Sequence, residues 1–406
     1  MNVVIKSSKG IGAVQAPPSK SMAHRLLIGA GLAKGISVIH NVAPSQDILA
    51  TIDCLRSLGA VVTIDGDTVT VTGTDPKQRE NATLPCRESG STLRFMIPLC
   101  LLSNAPCTLT GTPRLMERPQ TVYETLCREK GWLFQKSQAG ITLCGQLQGG
   151  DFSLAGNISS QFITGLLYAL PLTGQDSTIT LTGVVESRSY IDLTLQALRT
   201  FGIDVDWKNE HTLHIKAGSY QPQDLTVEND YSNAAFLDAF TLLGGNVTVT
   251  GLDPQSLQGD KIYKKDFASL RAGCPTLSLK DCPDLGPIYM AMGAALNGCL
   301  LTDTARLKIK ESDRGIAMAE ELAKFGVSVT VEDNCITVNS SPLQRPASPL
   351  YGHNDHRIVM SLVALCTLTG GEIRGAEAVA KSFPDYFERI KQLGISWKEV
   401  ESHGSE

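Results

Sequence analysis

Apolar residues at Ile48, Ile52 and Leu55 are spaced by four and three, which places them on one face of a helix. That stretch ends at Gly59 and runs into AVVTIDGDTVTVTG, which predicts aliphatic strands. A glycine there suits the left-handed position at a helix end, which other residues resist. The same phrase returns at VYETLCREKG (Gly131), YIDLTLQALRTFG (Gly202), FASLRAG (Gly273), IAMAEELAKFG (Gly326) and YFERIKQLG (Gly394). The intervals between these glycines are 72, 71, 71, 53 and 68 residues. A second, more apolar helix precedes each: MAHRLLIGAGLAKG, TLRFMIPLCLLSN, QFITGLLYALPLTG, NAAFLDAFTLLGG, GPIYMAMGAALNG and RIVMSLVALCTLTGG. Each leads into a strand such as ISVIHNV or STITLTG. The repeat therefore reads helix, strand, helix, strand, strand, six times over. The nearly all-apolar helices are expected inside, with the amphipathic ones flanking them.

A chain of 406 residues exceeds one ordinary core. Six repeats suggest two α/β domains of three. The lone strand MNVVIKSS precedes the first repeat and could complete the C-terminal domain. The expected division is residues 1–18 plus 229–406 as a discontinuous C-terminal lobe, with 19–228 as an inserted N-terminal lobe.

Composition narrows the function. Hydrophobic residues make up 42% and charged residues 19%, a globular balance. The net charge of −5 gives no bulk attraction to nucleic acid or anionic lipid, so an anionic ligand needs a local basic pocket. The eleven cysteines are odd in number and contain no C-x-x-C pair, which predicts reduced thiols in a cytoplasm and no structural zinc. The N-terminus MNVVIKSSKGIG has no signal-peptide stretch, and the densest apolar run, Phe95 to Leu102, contains Pro98 and is too short for a bilayer.

Several of the apolar helices open on an excess of polar groups: SKSMAHR at 19–25, ESGSTLR at 88–94, NISSQF at 157–162 and GHNDHR at 352–357. Capping accounts for Ser, Asn and Asp. It does not account for Lys20 with Arg25, or His356 with Arg357, since a helix N-terminus disfavours cations unless an anion joins them. Arg118 and Lys381 stand before other helices, and RLKIKESDR gathers Arg306, Lys308, Lys310, Glu311 and Arg314. Recurring cations at equivalent repeat ends point to an anion-binding cleft. Asp284 and Glu311 are carboxylates placed to act as general base or acid there. Their plainer roles are an N-cap and a surface ion pair. There is no P-loop, no dinucleotide fingerprint and no nucleophile elbow. His353 and His356 form an H-x-x-H without an evident third ligand, so no metal is expected.

These clusters resemble 5-enolpyruvylshikimate-3-phosphate synthases along nearly the whole chain. PPSKSMAHR, RESGSTLRF, GTPRLMERP, NISSQFITGLL, ESRSYIDLTL, VENDYSNAAF, CPDLGP, RLKIKESDR, GHNDHRIVMSLVAL and AKSFPDYF occur in the family's order. The resemblance implies a two-lobed, inside-out α/β barrel, each lobe three βαβαββ units, with the active site in the cleft between lobes. It implies carboxyvinyl transfer from phosphoenolpyruvate to the 5-hydroxyl of shikimate 3-phosphate, without a cofactor, by a cytoplasmic monomer of the shikimate pathway. Lys20, Ser21, Arg25, Tyr190, Arg306 and Lys310 would hold shikimate 3-phosphate, with Ser159, Ser160 and Ser187 at its phosphate and Gln161 and Asp284 beside it. Lys20, Gly90, Arg118, Gln161, Arg314, Arg357 and Lys381 would hold phosphoenolpyruvate. Asp284 would be the base, Glu311 the acid, and Lys20 an aid to proton transfer. Glyphosate, which mimics phosphoenolpyruvate in this family, would take the same place.

Where the family commonly reads Asn-Ala/Ser-Gly-Thr, this chain reads Glu88, Ser89, Gly90, Ser91, which adds a carboxylate there. Arg306 stands where some members carry Asn. Three rivals differ from this family. A UDP-N-acetylglucosamine carboxyvinyltransferase would carry Asn after Lys20 and a Cys in the region of PRLMERP. A non-catalytic phosphometabolite binder would not need both Asp284 and Glu311. An RNA-processing enzyme would need a basic surface.

Overall fold

The computed structural model describes residues 1–401. It divides into two compact units: Met1–Pro17 with the chain from Asn229 onward, and Pro18–Glu228. Each has its own buried apolar core. No helix among the described residues is long and apolar enough to cross a membrane.

The unit Pro18–Glu228 carries three four-stranded sheets. In the second, Ala82–Pro85 runs parallel to Cys107–Thr110, and the hairpin Leu133–Lys136 with Ile141–Cys144 completes the sheet. The third repeats this with Gly150–Ala155 and Ser177–Thr182 parallel, then Val205–Trp207 and Thr212–Ile215. The first borrows its opening strand from the end of the unit, Asp224–Thr226, which lies parallel to Ile36–His40.

The helix that follows each opening strand is buried nearly all round. Lys20–Leu32 is buried from Met22 to Leu32, and His356–Thr369 from His356 to Thr367. Their polar N-terminal ends are capped by side chains. Ser19, Ser89, Ser159, Asp230 and Asp355 each accept from a backbone N–H one turn on. The helix Gly286–Ala295 has no such cap. The expected cap there, Asp284, is turned elsewhere.

The other unit departs from the sixfold rule. Its sheets at Thr276–Ser278 and Leu350–Tyr351 have four strands, but Asn246–Thr250 pairs only with Ile11–Gln15. The fourth repeat lacks the terminal hairpin, which explains its short interval. Gly273 changes with it. The other five repeat-ending glycines have φ between 71° and 108°, whereas Gly273 is extended at φ 176°. A left-handed residue turns the chain back into a hairpin, and here the chain goes straight on to Thr276–Ser278 instead. Asn2–Ile5 lies between Gly371–Arg374 and Trp397–Val400, antiparallel to both.

Candidate active site

In the unit Pro18–Glu228 the helix starts carry the expected anion-binding residues. Lys20 Nζ lies 2.7 Å from Asp47 Oδ2, and both side chains are mostly buried. Arg25 is buried and donates from Nε to Thr194 Oγ1 (2.9 Å), from Nη1 to the Ser21 carbonyl (2.7 Å) and from Nη2 to the Tyr190 carbonyl (3.0 Å). Burial pulls the guanidinium's pKa down, with Tyr168 and Tyr190 opposing. Ser21 and Tyr190 thus fix Arg25 through their backbones. Ser159 caps its helix through the Gln161 N–H, and Ser160 is buried beside it. Ser187 is held at φ 53° and its hydroxyl does not cap the following helix.

Gly90 is the first residue of its helix, and a side chain there would push the Arg118 guanidinium out of its place. A Cβ would lie 2.3 Å from Arg118 Nη1. Arg118 is 7% exposed, and its buried Nε has no hydrogen-bond partner. Gln161 is oriented by its neighbours: Arg94 Nη1 donates to its Oε1 (2.8 Å), so its Nε2 donates to Ser91 Oγ (2.8 Å). Arg94 Nη2 also donates to the Pro119 carbonyl, next to Arg118 (3.1 Å). Glu88 is half-buried, and the neighbouring Arg87 is turned to Asp53 at 2.7 Å.

The unit containing residues 229–401 brings its expected residues together around one carboxylate. Asp284 Oδ1 accepts from Arg314 Nη1 (2.8 Å) and Lys310 Nζ (3.1 Å), while Arg357 Nη2 stands 3.6 Å from Oδ2. Asp284 is therefore the centre of a cationic cluster and not the helix cap that its position suggested. Arg314 also donates to Glu311 Oε2 (2.9 Å) and to Asp355 Oδ2 (2.8 Å). It is 1% exposed. Burial opposes its charge, but Asp355, Glu311 and Asp284 outweigh burial and hold its pKa above the ordinary value. Glu311 is accordingly a mostly buried partner of Arg314, not a surface ion pair. Lys310 is shifted down, first by burial, with Asp284 opposing and Arg314 adding to the shift. Arg357 Nη1 donates to Asn233 Oδ1 (3.1 Å), and Lys381 to the Asn354 carbonyl (2.5 Å). Arg306 is anchored on the Lys280 carbonyl.

Four residues escaped the sequence reading. Asp47 is an acid in the first turn of an amphipathic helix, a placement too common to mark it in the sequence. Asp355 looked like a cap, and it is one, accepting from the Arg357 N–H at 2.9 Å while also holding Arg314. Asn233 lay unread inside VENDYSNAAF. Asp260 is buried near Asp284, and its carboxyl is pushed up to about 7 by burial and then by Asp284. Among the described residues no cluster of three or more His, Cys, Asp or Glu could hold a metal ion. His353 of the H-x-x-H faces Glu321 at 2.9 Å.

The fold is that of the enolpyruvyl transferases. EPSP synthase from Acinetobacter baumannii superimposes with a TM-score of 0.76 at 21% identity, covering 98% of this chain and 99% of that one. The enolpyruvyl transferase NikO from Streptomyces tendae gives a TM-score of 0.79 at 16% identity, over 98% of each chain. The sequence model of the EPSP synthase (3-phosphoshikimate 1-carboxyvinyltransferase) family matches residues 5–390. Proteins named 3-phosphoshikimate 1-carboxyvinyltransferase from Clostridium novyi and Clostridium kluyveri are 37% and 36% identical, each alignment covering 97% of both chains. The chain belongs to the EPSP synthase family.

Proposed function

We propose that this chain transfers the carboxyvinyl group of phosphoenolpyruvate to the 5-hydroxyl of shikimate 3-phosphate and releases phosphate, a step of aromatic amino-acid biosynthesis. The observation that carries the mechanism is Asp284 with Lys310, Arg314 and Arg357 around it. A carboxylate held there can take a proton from a hydroxyl placed beside it.

In this reading the hydroxyl oxygen attacks C2 of phosphoenolpyruvate as Asp284 accepts its proton. Glu311 gives a proton to the methylene carbon, which forms a tetrahedral intermediate. The C–O bond to phosphate then breaks, phosphate leaving with the bonding electrons, and the Glu311 carboxylate takes a methyl proton back as the double bond re-forms. Lys20 assists proton transfer, with Asp47 setting the position of its ammonium. Shikimate 3-phosphate is assigned to Ser21, Arg25, Ser159, Ser160, Ser187, Tyr190, Arg306 and Lys310, with Gln161 and Asp284. Phosphoenolpyruvate is assigned to Gly90, Arg118, Arg314, Arg357 and Lys381, with Lys20 and Gln161. Guanidinium forks suit its carboxylate and phosphate. Fixed cations aimed at developing charge are the main source of rate in such a site.

One chain supplies every assigned residue, so the reading requires only a monomer. Eleven cysteines, none in a disulfide, fit the cytoplasm. The decisive test is phosphate release with both substrates present, against each omitted. Release that does not depend on shikimate 3-phosphate would refute the reading.

A further inference from the structure

Three cations assigned above to phosphoenolpyruvate depend on one turn. Asp355 holds Arg314, the Asn354 carbonyl accepts from Lys381, and Arg357 is the second residue of the helix that Asp355 caps. Within that turn His353 and Asn354 are both left-handed, at φ 48° and 53°. Residues with a side chain resist that conformation, and two in succession persist only where the surroundings fix them.

A buried carboxylate on another element holds the first of them. Glu321, 1% exposed, sits on the helix Arg314–Lys324. Its Oε1 accepts from His353 Nε2 at 2.9 Å, and its Oε2 accepts from the Tyr351 N–H at 3.0 Å. Lys324 Nζ adds 3.0 and 2.8 Å contacts to the two oxygens. An unpaired carboxylate here would be costly; with these donors it is held ionised, its pKa lowered against the opposing effect of burial. The helix thus meets the turn at both ends, through Arg314 to Asp355 at its start and through Glu321 to Tyr351 and His353 near its finish. Two attachments fix an angle that one leaves free.

We propose that Glu321 and His353 are positioning residues that clamp the 352–355 turn and thereby set Arg314, Arg357 and Lys381 for phosphoenolpyruvate. This rests on the substrate reading given above. A small misplacement of such groups is enough to cost rate or affinity.

The test compares the full-length chain with His353→Gly, Glu321→Ala and Glu321→Gln. Glycine removes the ring but accepts the left-handed backbone freely. If the side chain matters only to the turn's own conformation, His353→Gly leaves function unchanged. The clamp predicts instead that KM for phosphoenolpyruvate rises about tenfold in His353→Gly and Glu321→Ala, with KM for shikimate 3-phosphate held within about twofold. Glu321→Gln, which keeps an acceptor for His353, recovers part of the loss. Hydrogen exchange at amides 351–357 of the ligand-free protein speeds up in the same variants. Unchanged exchange, or faster exchange with an unchanged KM for phosphoenolpyruvate, overturns the proposal. If Glu321→Ala fails to fold, His353→Gly decides alone. If the wild-type chain releases no phosphate, the substrate reading falls, and exchange decides whether the clamp exists.

Discussion

Arg25 and Arg314 are both buried arginines beside the start of a repeat helix, yet their partners differ in kind. Arg25 is held by a hydroxyl and two carbonyls, and in the same unit the buried Nε of Arg118 has no hydrogen-bond partner among the described residues. Arg314 is wrapped by Asp284, Glu311 and Asp355. Neutral dipoles hold a guanidinium in place and leave its charge unspent, so an incoming anion meets the full charge. Carboxylates cancel the charge and tie the acid–base groups to a fixed scaffold. Under the proposed function, one unit attracts anions and the other moves protons while binding them.

The largest effect should come from the compensated unit. Asp284→Ala removes the proposed base and is expected to lower kcat about 10³-fold while substrate binding persists, measured by phosphate release and by titration calorimetry. Near-normal turnover would remove Asp284 from its role. In the uncompensated unit, Arg118→Ala should raise KM for phosphoenolpyruvate about 10- to 100-fold, the scale of a lost charged hydrogen bond. Arg118→Lys should not restore it, because an ammonium lacks the planar fork. Full rescue by lysine would show that Arg118 supplies charge alone. Lys20 is the exception to the contrast, since it does have a carboxylate partner. Asp47→Asn should lower kcat by about three- to tenfold, short of the loss expected at Asp284.

The smallest effects are in stability, and they run in opposite directions in the two units. His24, buried beside Lys20 and Arg25, has its pKa lowered by burial and then by those cations. Its unfolded form binds the proton more readily, so its contribution is present above about pH 6.5 and lost as pH falls. His24→Gln should blunt the loss of Tm in acid. Asp260 is the reverse. With its carboxyl raised to about 7, its contribution is present below the unfolded value and lost as pH climbs through 7. Asp260→Asn should raise Tm at pH 8 relative to wild type, with little difference at pH 4. A gain that does not vary with pH would mean that the residue's charge is not what matters.

Much of this was legible in the sequence because helix-terminal glycines and apolar runs follow from backbone geometry. Six helix pairs, the buried set and the polar helix starts could be read directly. The missing hairpin of the fourth repeat was visible only as a short interval, since a two-strand deletion and a shortened loop remove similar lengths of chain. Asp284 illustrates the limit in the site. Its place before an apolar helix read as a cap, and only the fold shows Arg314, thirty positions later, drawing it away. Asn233 and Asp355 act across repeats and Asp47 between the two helices of its own repeat, and polar residues at helix starts are too ordinary for spacing to single them out.

The chain's first strand sits in the middle of a sheet whose other members are made last. During synthesis Asn2–Ile5 must therefore wait until residues 371–400 have been made before both its edges are paired, whereas Ile11–Gln15 finds Asn246–Thr250 much earlier. The unit from Pro18 to Glu228 holds all its own strands and can fold meanwhile. A ribosome stalled before Trp397 would leave a finished inner unit between two unfinished ends of its host.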